Sequence, residues 1–182
     1  MARHTFRKIY SYNAHLAAAD YFLDAAGGED NQSEKINSMG TLVFSAFALE
    51  AFLNHVGPQL LEVWDNEHLK KHLSPGAKLG VIAKCIGLEI DFESRPFQTF
   101  RTLFRFRNVM AHSATEKLSE ENAKHFLQIG VGYWPAAEWE KLCSAEVAKN
   151  ALKDVERIID LIEDKSGIEQ IPRFLLSEFM QI

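Results

Sequence analysis

MGTLVFSAFALEAFL, running from Met39 to Leu53, is apolar around the whole circumference of a helix and carries one charge, Glu50. It is shorter than the ~20 residues a helix needs to cross hydrocarbon. Its reading is therefore a helix buried in a protein core, with no membrane association. Extended outward, the helix covers about residues 35–56 and stops before Gly57-Pro58. Upstream, residues 5–26 place Phe6, Ile9, Tyr10, Leu16, Ala17, Tyr21 and Leu23 among polar residues. That predicts an amphipathic first helix ended by Gly27-Gly28.

Downstream the pattern stays helical. Residues 59–72 suggest one or two short helices. Ser74-Pro75 reads as an N-cap followed by proline in the first turn, opening a helix that ends at Gly87. Residues 88–94 are expected to be extended. A fourth helix runs from near Ser94 to about Ala111, and Ser119-Glu120-Glu121 offers another start. Residues 130–137 (GVGYWPAA) read as an aromatic loop. A last long helix covers about 138–165, with Ala148, Leu152, Val155, Ile159 and Ile162 at helical spacing. Gly167 and Pro172 lead to a short tail helix. No repeat or linker appears, so the expectation is one all-α domain over 1–182, an up-and-down bundle of four to five main helices with short extra ones. The C-terminal helices from 138 onward would pack on that bundle or on a second subunit.

Composition fits. At 182 residues, 47% apolar and 25% charged, the chain can build a core without disulfides. The net charge is −5, so bulk charge does not draw it to nucleic acid, and any phosphate site must be local. Cys85 and Cys143 form no C-x-x-C pair and point to a reducing, cytoplasmic setting. The opening Met1-Ala2-Arg3-His4-Thr5 leads into mixed polar sequence, not a secretory core.

The local positive island is SRPFQTFRTLFRFRNVMAHS, Ser94 to Ser113. It holds Arg95, Arg101, Arg105 and Arg107, with no acid between Glu93 and Glu116. On a wheel of about 100° per residue, Arg101, Arg105, Asn108 and His112 make one polar stripe. Phe97, Phe100, Leu103, Phe104 and Ala111 make the apolar face, and Arg107 falls near its centre. A guanidinium cannot shed its charge, so it needs an anion or a water-lined cleft there. Glu50, with Asn54 one turn later on the same face, is the simplest partner. Two readings stay open: the pair only fixes helix register, or it serves a site. His112 likewise has a plain reading, as a cation facing a helix C-terminus.

No phosphate loop, dinucleotide fingerprint, zinc-protease motif or nucleophile elbow is present. A di-iron bundle would need two Glu-x-x-His pairs; the only acid three positions before a histidine is Asp65, before His68. His68 and His72 are half a metal site with no third ligand, better read as a solvated helix face. Tyr133-Trp134-Pro135 with Trp139 could stack bases, although such aromatics more often cap a core.

Arg107-Asn108-Val109-Met110-Ala111-His112 resembles the Arg-x4–6-His motif of HEPN domains (higher eukaryotes and prokaryotes nucleotide-binding). Asn108, the polar residue after the arginine, fits the family pattern, as does an upstream apolar helix carrying an acid, here Glu50. The likeness covers about residues 37–130. It implies a helical bundle, a metal-independent endoribonuclease without a cofactor, often a toxin or phage-defence component with a separate antitoxin protein, and commonly a homodimer. Other family members are silent modules that bind RNA, nucleotides or proteins.

The side chains suit that chemistry. RNA carries its own nucleophile, the 2′-hydroxyl. A neutral His112 can take its proton, giving a 2′,3′-cyclic phosphate. Arg107 would stabilise charge on the phosphoryl oxygens. Asn108 would orient the imidazole or bond the phosphate. Glu50 and Asn54 would support Arg107, and Arg101 and Arg105 would extend the RNA track. Arg107 and His112 are five residues apart, about 140° around an unbroken helix. They meet on one phosphate only if the helix ends near Ala111 or a second copy supplies one of them.

Overall fold

The computed structural model describes residues 5–27, 31–65, 72–117 and 136–181. Its organising element is helix α2, Asn31–Leu60. Leu42, Ala46, Leu49, Phe52, Leu53 and Val56 along it are buried in the core, because neighbours cover it on several sides. By length and composition alone α2 could cross a membrane, yet half of that stretch is buried inside the fold.

Gly57 and Pro58 do not stop α2, contrary to expectation. Pro58 lies in the last turn, so the one ladder hydrogen bond its missing N–H forfeits is near the end of the helix. Gly57 is a packing glycine: a Cβ there would stand 2.0 Å from the Trp64 ring. Trp64 belongs to a 3-10 turn, Glu62–Asp65, that folds back under the helix end, with Leu61 N–H donating to Gly57 O at 3.0 Å.

Helix α1, Ser11–Ala26, packs along α2. The Phe22 ring lies over Gly40, and Thr41 Oγ1 donates to Ala19 O at 3.3 Å. The helix does not begin at residue 5. Strand β1, Thr5–Ile9, precedes it and pairs antiparallel with β2, Ser177–Gln181, with Thr5 opposite Gln181 and Ile9 opposite Ser177. The tail expected to be helical is therefore that second strand. Buried Asn13 ties the two ends of the chain together, its Nδ2 donating to Pro172 O and Leu175 O at 3.0 and 2.9 Å.

Helix α3, Pro75–Ile86, starts and ends as the sequence indicates. Ser74 Oγ accepts from Ala77 N–H at 3.2 Å, and Gly87 caps the helix in the left-handed region at φ 65. Residues 88–94 are irregular instead of extended. Asp91 accepts from Glu93 N–H and the Ser94 hydroxyl, so Ser94 closes a turn and does not start a helix. Helix α4, Phe97–His112, follows. The last helix, α5, Ala145–Ser166, is capped by Ser144 and Gly167 and starts later than expected. The preceding residues form a 3-10 turn, Glu140–Leu142, in which Glu140 accepts from Ala137 N–H at 2.8 Å.

Five helices thus build an all-α bundle among the described residues, with a short two-stranded ribbon of β1 and β2. Val155, Ile158, Ile159 and Ile162 put α5 into the core of its own chain, packed on α2 and α4. The helix start at Ser119, the aromatics Tyr133 and Trp134, and His68 lie outside the described residues.

Candidate functional site

Helix α4 sorts its residues by face. Phe97, Phe100, Leu103, Phe104 and Phe106 are buried, while Arg101, Arg105, Asn108 and His112 are exposed. The polar stripe is as the wheel places it. The apolar face is not: Ala111 is exposed and Phe106 takes a place in the core. By Ala111 the helix has run past the packed part of the bundle, so none of the described residues buries it.

Arg107 lies on the buried face, near the rim where that packing ends. Its Nη2 donates to Glu50 Oε2 at 2.7 Å, and its guanidinium carbon sits 5.4 Å from the centre of the Phe104 ring. The pairing read from two anomalous charges is therefore present. A third charge joins it. Lys78 Nζ, on α3, donates to Glu50 Oε1 at 3.4 Å, and the lysine side chain is only 4% exposed. Sequence reading missed Lys78. The available signal was its place one turn before Ile82, a residue fully buried in α3, because a lysine in an apolar register needs a partner.

Asn54 does not support Arg107 as expected. Asn54 Oδ1 and Arg107 Nε are both buried and neither has a hydrogen-bond partner among the described residues. Arg101 is taken up by Glu93, its Nη1 donating at 2.9 Å in an exposed pair. Arg105, Asn108 and His112 instead line one open groove of about 760 Å³ with Ser113 to Glu116. A neighbouring depression of about 530 Å³ shares Arg105, Val109 and Glu116 and adds Trp139, at the start of the 3-10 turn.

Helix α4 continues through His112, and Ser113 N–H donates to Val109 O at 2.9 Å to close it. The helix therefore does not end early enough to swing His112 toward Arg107. Within one chain, Arg107 faces Glu50 and His112 faces the groove, about 140° apart. Among the described residues no group of three His, Cys, Asp or Glu is placed to hold a metal ion.

Around the first turn of α4, a half-exposed arginine and Thr99 meet a nearly buried carboxylate of α5. Asp154 of α5 accepts from Arg95 Nε at 2.6 Å, from Arg95 Nη2 at 2.9 Å and from the Thr99 hydroxyl. This bidentate contact clamps the start of α4 onto α5 and fixes the direction in which the polar stripe points.

Comparison of the chain with protein-family models, curated proteins and solved structures finds no match.

Proposed function

We propose that the chain is a HEPN-like, metal-independent endoribonuclease acting as a homodimer, in the cytoplasm, with RNA as its substrate. The observation that carries the reading is the C-terminal half of α4. There Arg107 is held by a carboxylate of α2 while Asn108 and His112 stand open on the adjacent face. Neutral His112 takes the proton of a 2′-hydroxyl, and the 2′-oxygen attacks phosphorus. The P–O5′ bond breaks, water or the imidazolium returns a proton to the 5′-oxygen, and a 2′,3′-cyclic phosphate remains. Arg107 stabilises the charge on the phosphoryl oxygens, Asn108 orients the imidazole, and Arg105 extends the track, with Arg101 joining once RNA displaces Glu93. Because the two key side chains diverge in one chain, the site is completed by a second copy. A toxin or phage-defence role with a separate antitoxin protein belongs to the same proposal.

A second reading, a silent module that binds RNA, nucleotides or a protein, is favoured by that same divergence and by Glu50 already occupying Arg107. Mixed RNA incubated with the protein in EDTA separates the two. Cleavage leaving cyclic-phosphate ends, lost in a folded His112→Ala variant, supports the nuclease. RNA left intact by the wild-type protein supports the silent module.

A further inference from the structure

Glu50 is one carboxylate shared by two cations. Arg107 takes Oε2 and Lys78 takes Oε1. All three lie in a partly enclosed place: Arg107 is 21% exposed, Glu50 28% and Lys78 4%. Two positive charges against one negative leave one positive charge over. A lysine this buried has little water to screen its charge, so it shares the Glu50 carboxylate at 3.4 Å although Arg107 stands nearer, at 2.7 Å. Arg107 is then only half neutralised. One of its nitrogens is engaged by Glu50, and Nε, though buried, has no acceptor among the described residues.

We infer that Lys78, Glu50 and Arg107 form an anion centre for a phosphodiester, in which Lys78 is a positioning residue. By neutralising Glu50 it leaves the Arg107 guanidinium charged toward solvent, where a phosphate oxygen can accept from it. Without Lys78, Glu50 and Arg107 would close into a neutral pair with little pull on a phosphate. The centre rests on the nuclease reading only for its substrate, and the phosphate chemistry holds for any RNA ligand.

The two charges around Glu50 make opposite predictions, which a merely structural clasp would not. The probe is a fluorescein-labelled single-stranded 2′-deoxy oligonucleotide, which lacks the attacking hydroxyl, followed by anisotropy at low salt. Lys78→Met should weaken binding roughly tenfold and Lys78→Arg should restore it, while Glu50→Gln, which keeps an oxygen acceptor for Arg107, should tighten it by a similar factor. If Lys78→Met does not fold, the sign of the Glu50→Gln change decides alone. The centre is overturned if the wild-type protein does not bind, if folded Lys78→Met binds as the wild type does, or if Glu50→Gln fails to tighten. RNA cleavage by the same proteins keeps the two ideas apart. Lys78-dependent binding of the deoxy probe, with no RNA cut by the wild type, removes the nuclease and leaves the anion centre standing.

Discussion

Gly57→Ala is a change for which local propensity and packing give opposite signs. Alanine is favoured over glycine inside a helix by about 1 kcal/mol, and Gly57 lies inside α2. The added methyl carbon, however, would stand 2.0, 2.2 and 2.5 Å from three atoms of the Trp64 ring, where carbon–carbon contact needs about 3.5–4.0 Å. Trp64 is 1% exposed, so the ring has no free volume to enter. Overpacking of this kind costs about 1–3 kcal/mol when neighbours give way. Expelling the indole altogether would forfeit about 4–6 kcal/mol, from roughly 150–250 Å² at ~25 cal/mol/Å². Set against the propensity gain, the net loss runs from about 0–2 kcal/mol if neighbours give way to about 3–5 kcal/mol if the indole is expelled; for a contact as short as 2.0 Å the expected loss is ~2–3 kcal/mol, or roughly 4–12 °C in Tm for a domain of this size. Urea melts followed by far-UV circular dichroism measure it, and the near-UV band reports the tryptophan environment. Trp64→Phe in the Gly57→Ala background should recover part of the loss, a coupling that a double-mutant cycle reads directly. A Gly57→Ala protein as stable as the wild type, or more so, would refute the packing account of why α2 runs past Gly57-Pro58.

Two further outcomes follow from titrating groups. His55 and His15 are held below the ordinary imidazole range by burial, with Lys8 adding to the effect at His55. Both are therefore neutral in the fold, and the unfolded chain takes up protons first as pH falls below about 6.5, so stability present above that pH declines through the folded values; urea midpoints of a His15→Gln/His55→Gln variant should fall less steeply over that range. Cys143 is buried and its thiol is pushed up to about 11, mainly by burial, whereas Cys85 is exposed. A disulfide reagent at neutral pH should label Cys85 quickly and reach Cys143 only on unfolding, and fast labelling of both would contradict the packing around Cys143.

Much of the bundle is written in short-range pattern. The apolar run around Glu50, the Ser74 and Gly87 caps and the Ile159 and Ile162 spacing are local facts, and the corresponding helices are where they indicate. Two of the misreadings share a cause, a partner outside the segment being read. Thr5–Ile9 reads as helix alone and becomes a strand because Ser177–Gln181 lies beside it. Gly57 reads as a terminator because the Trp64 ring that needs its missing side chain belongs to the next turn of chain. The candidate site divides the same way. Glu50 and Arg107 announce each other, since each is a charge in an apolar register and such charges must be answered. Lys78 sends the same signal from α3 but stands between Ala77 and Leu79 in a short helix with a second lysine, Lys84, near its end, and only the fold brings it to Glu50. Asn54 shares a helix face with Glu50, and a shared face does not make a hydrogen bond.

The angle between Arg107 and His112 turns the dimer from an accessory into a requirement of the nuclease proposal. Five residues on a continuous helix separate the two side chains by about 140°, and α4 stays helical through His112. A single chain thus offers a phosphate either the guanidinium or the imidazole, and a composite site must take one from each copy. A two-fold dimer holds two such sites. Folded Arg107→Ala and His112→Ala proteins should each be inactive. Mixed in equal amounts and allowed to exchange subunits, they form hybrids for half of all dimers. Each hybrid carries one site with both side chains intact and one with neither, so RNA cleavage should return to about a quarter of the wild-type rate. A site contained in one chain predicts no recovery at all. Mixtures that stay inactive while subunit exchange is shown by native mass spectrometry, alongside an active wild-type protein, would overturn the shared site and require α4 to unwind near Ala111 when RNA binds.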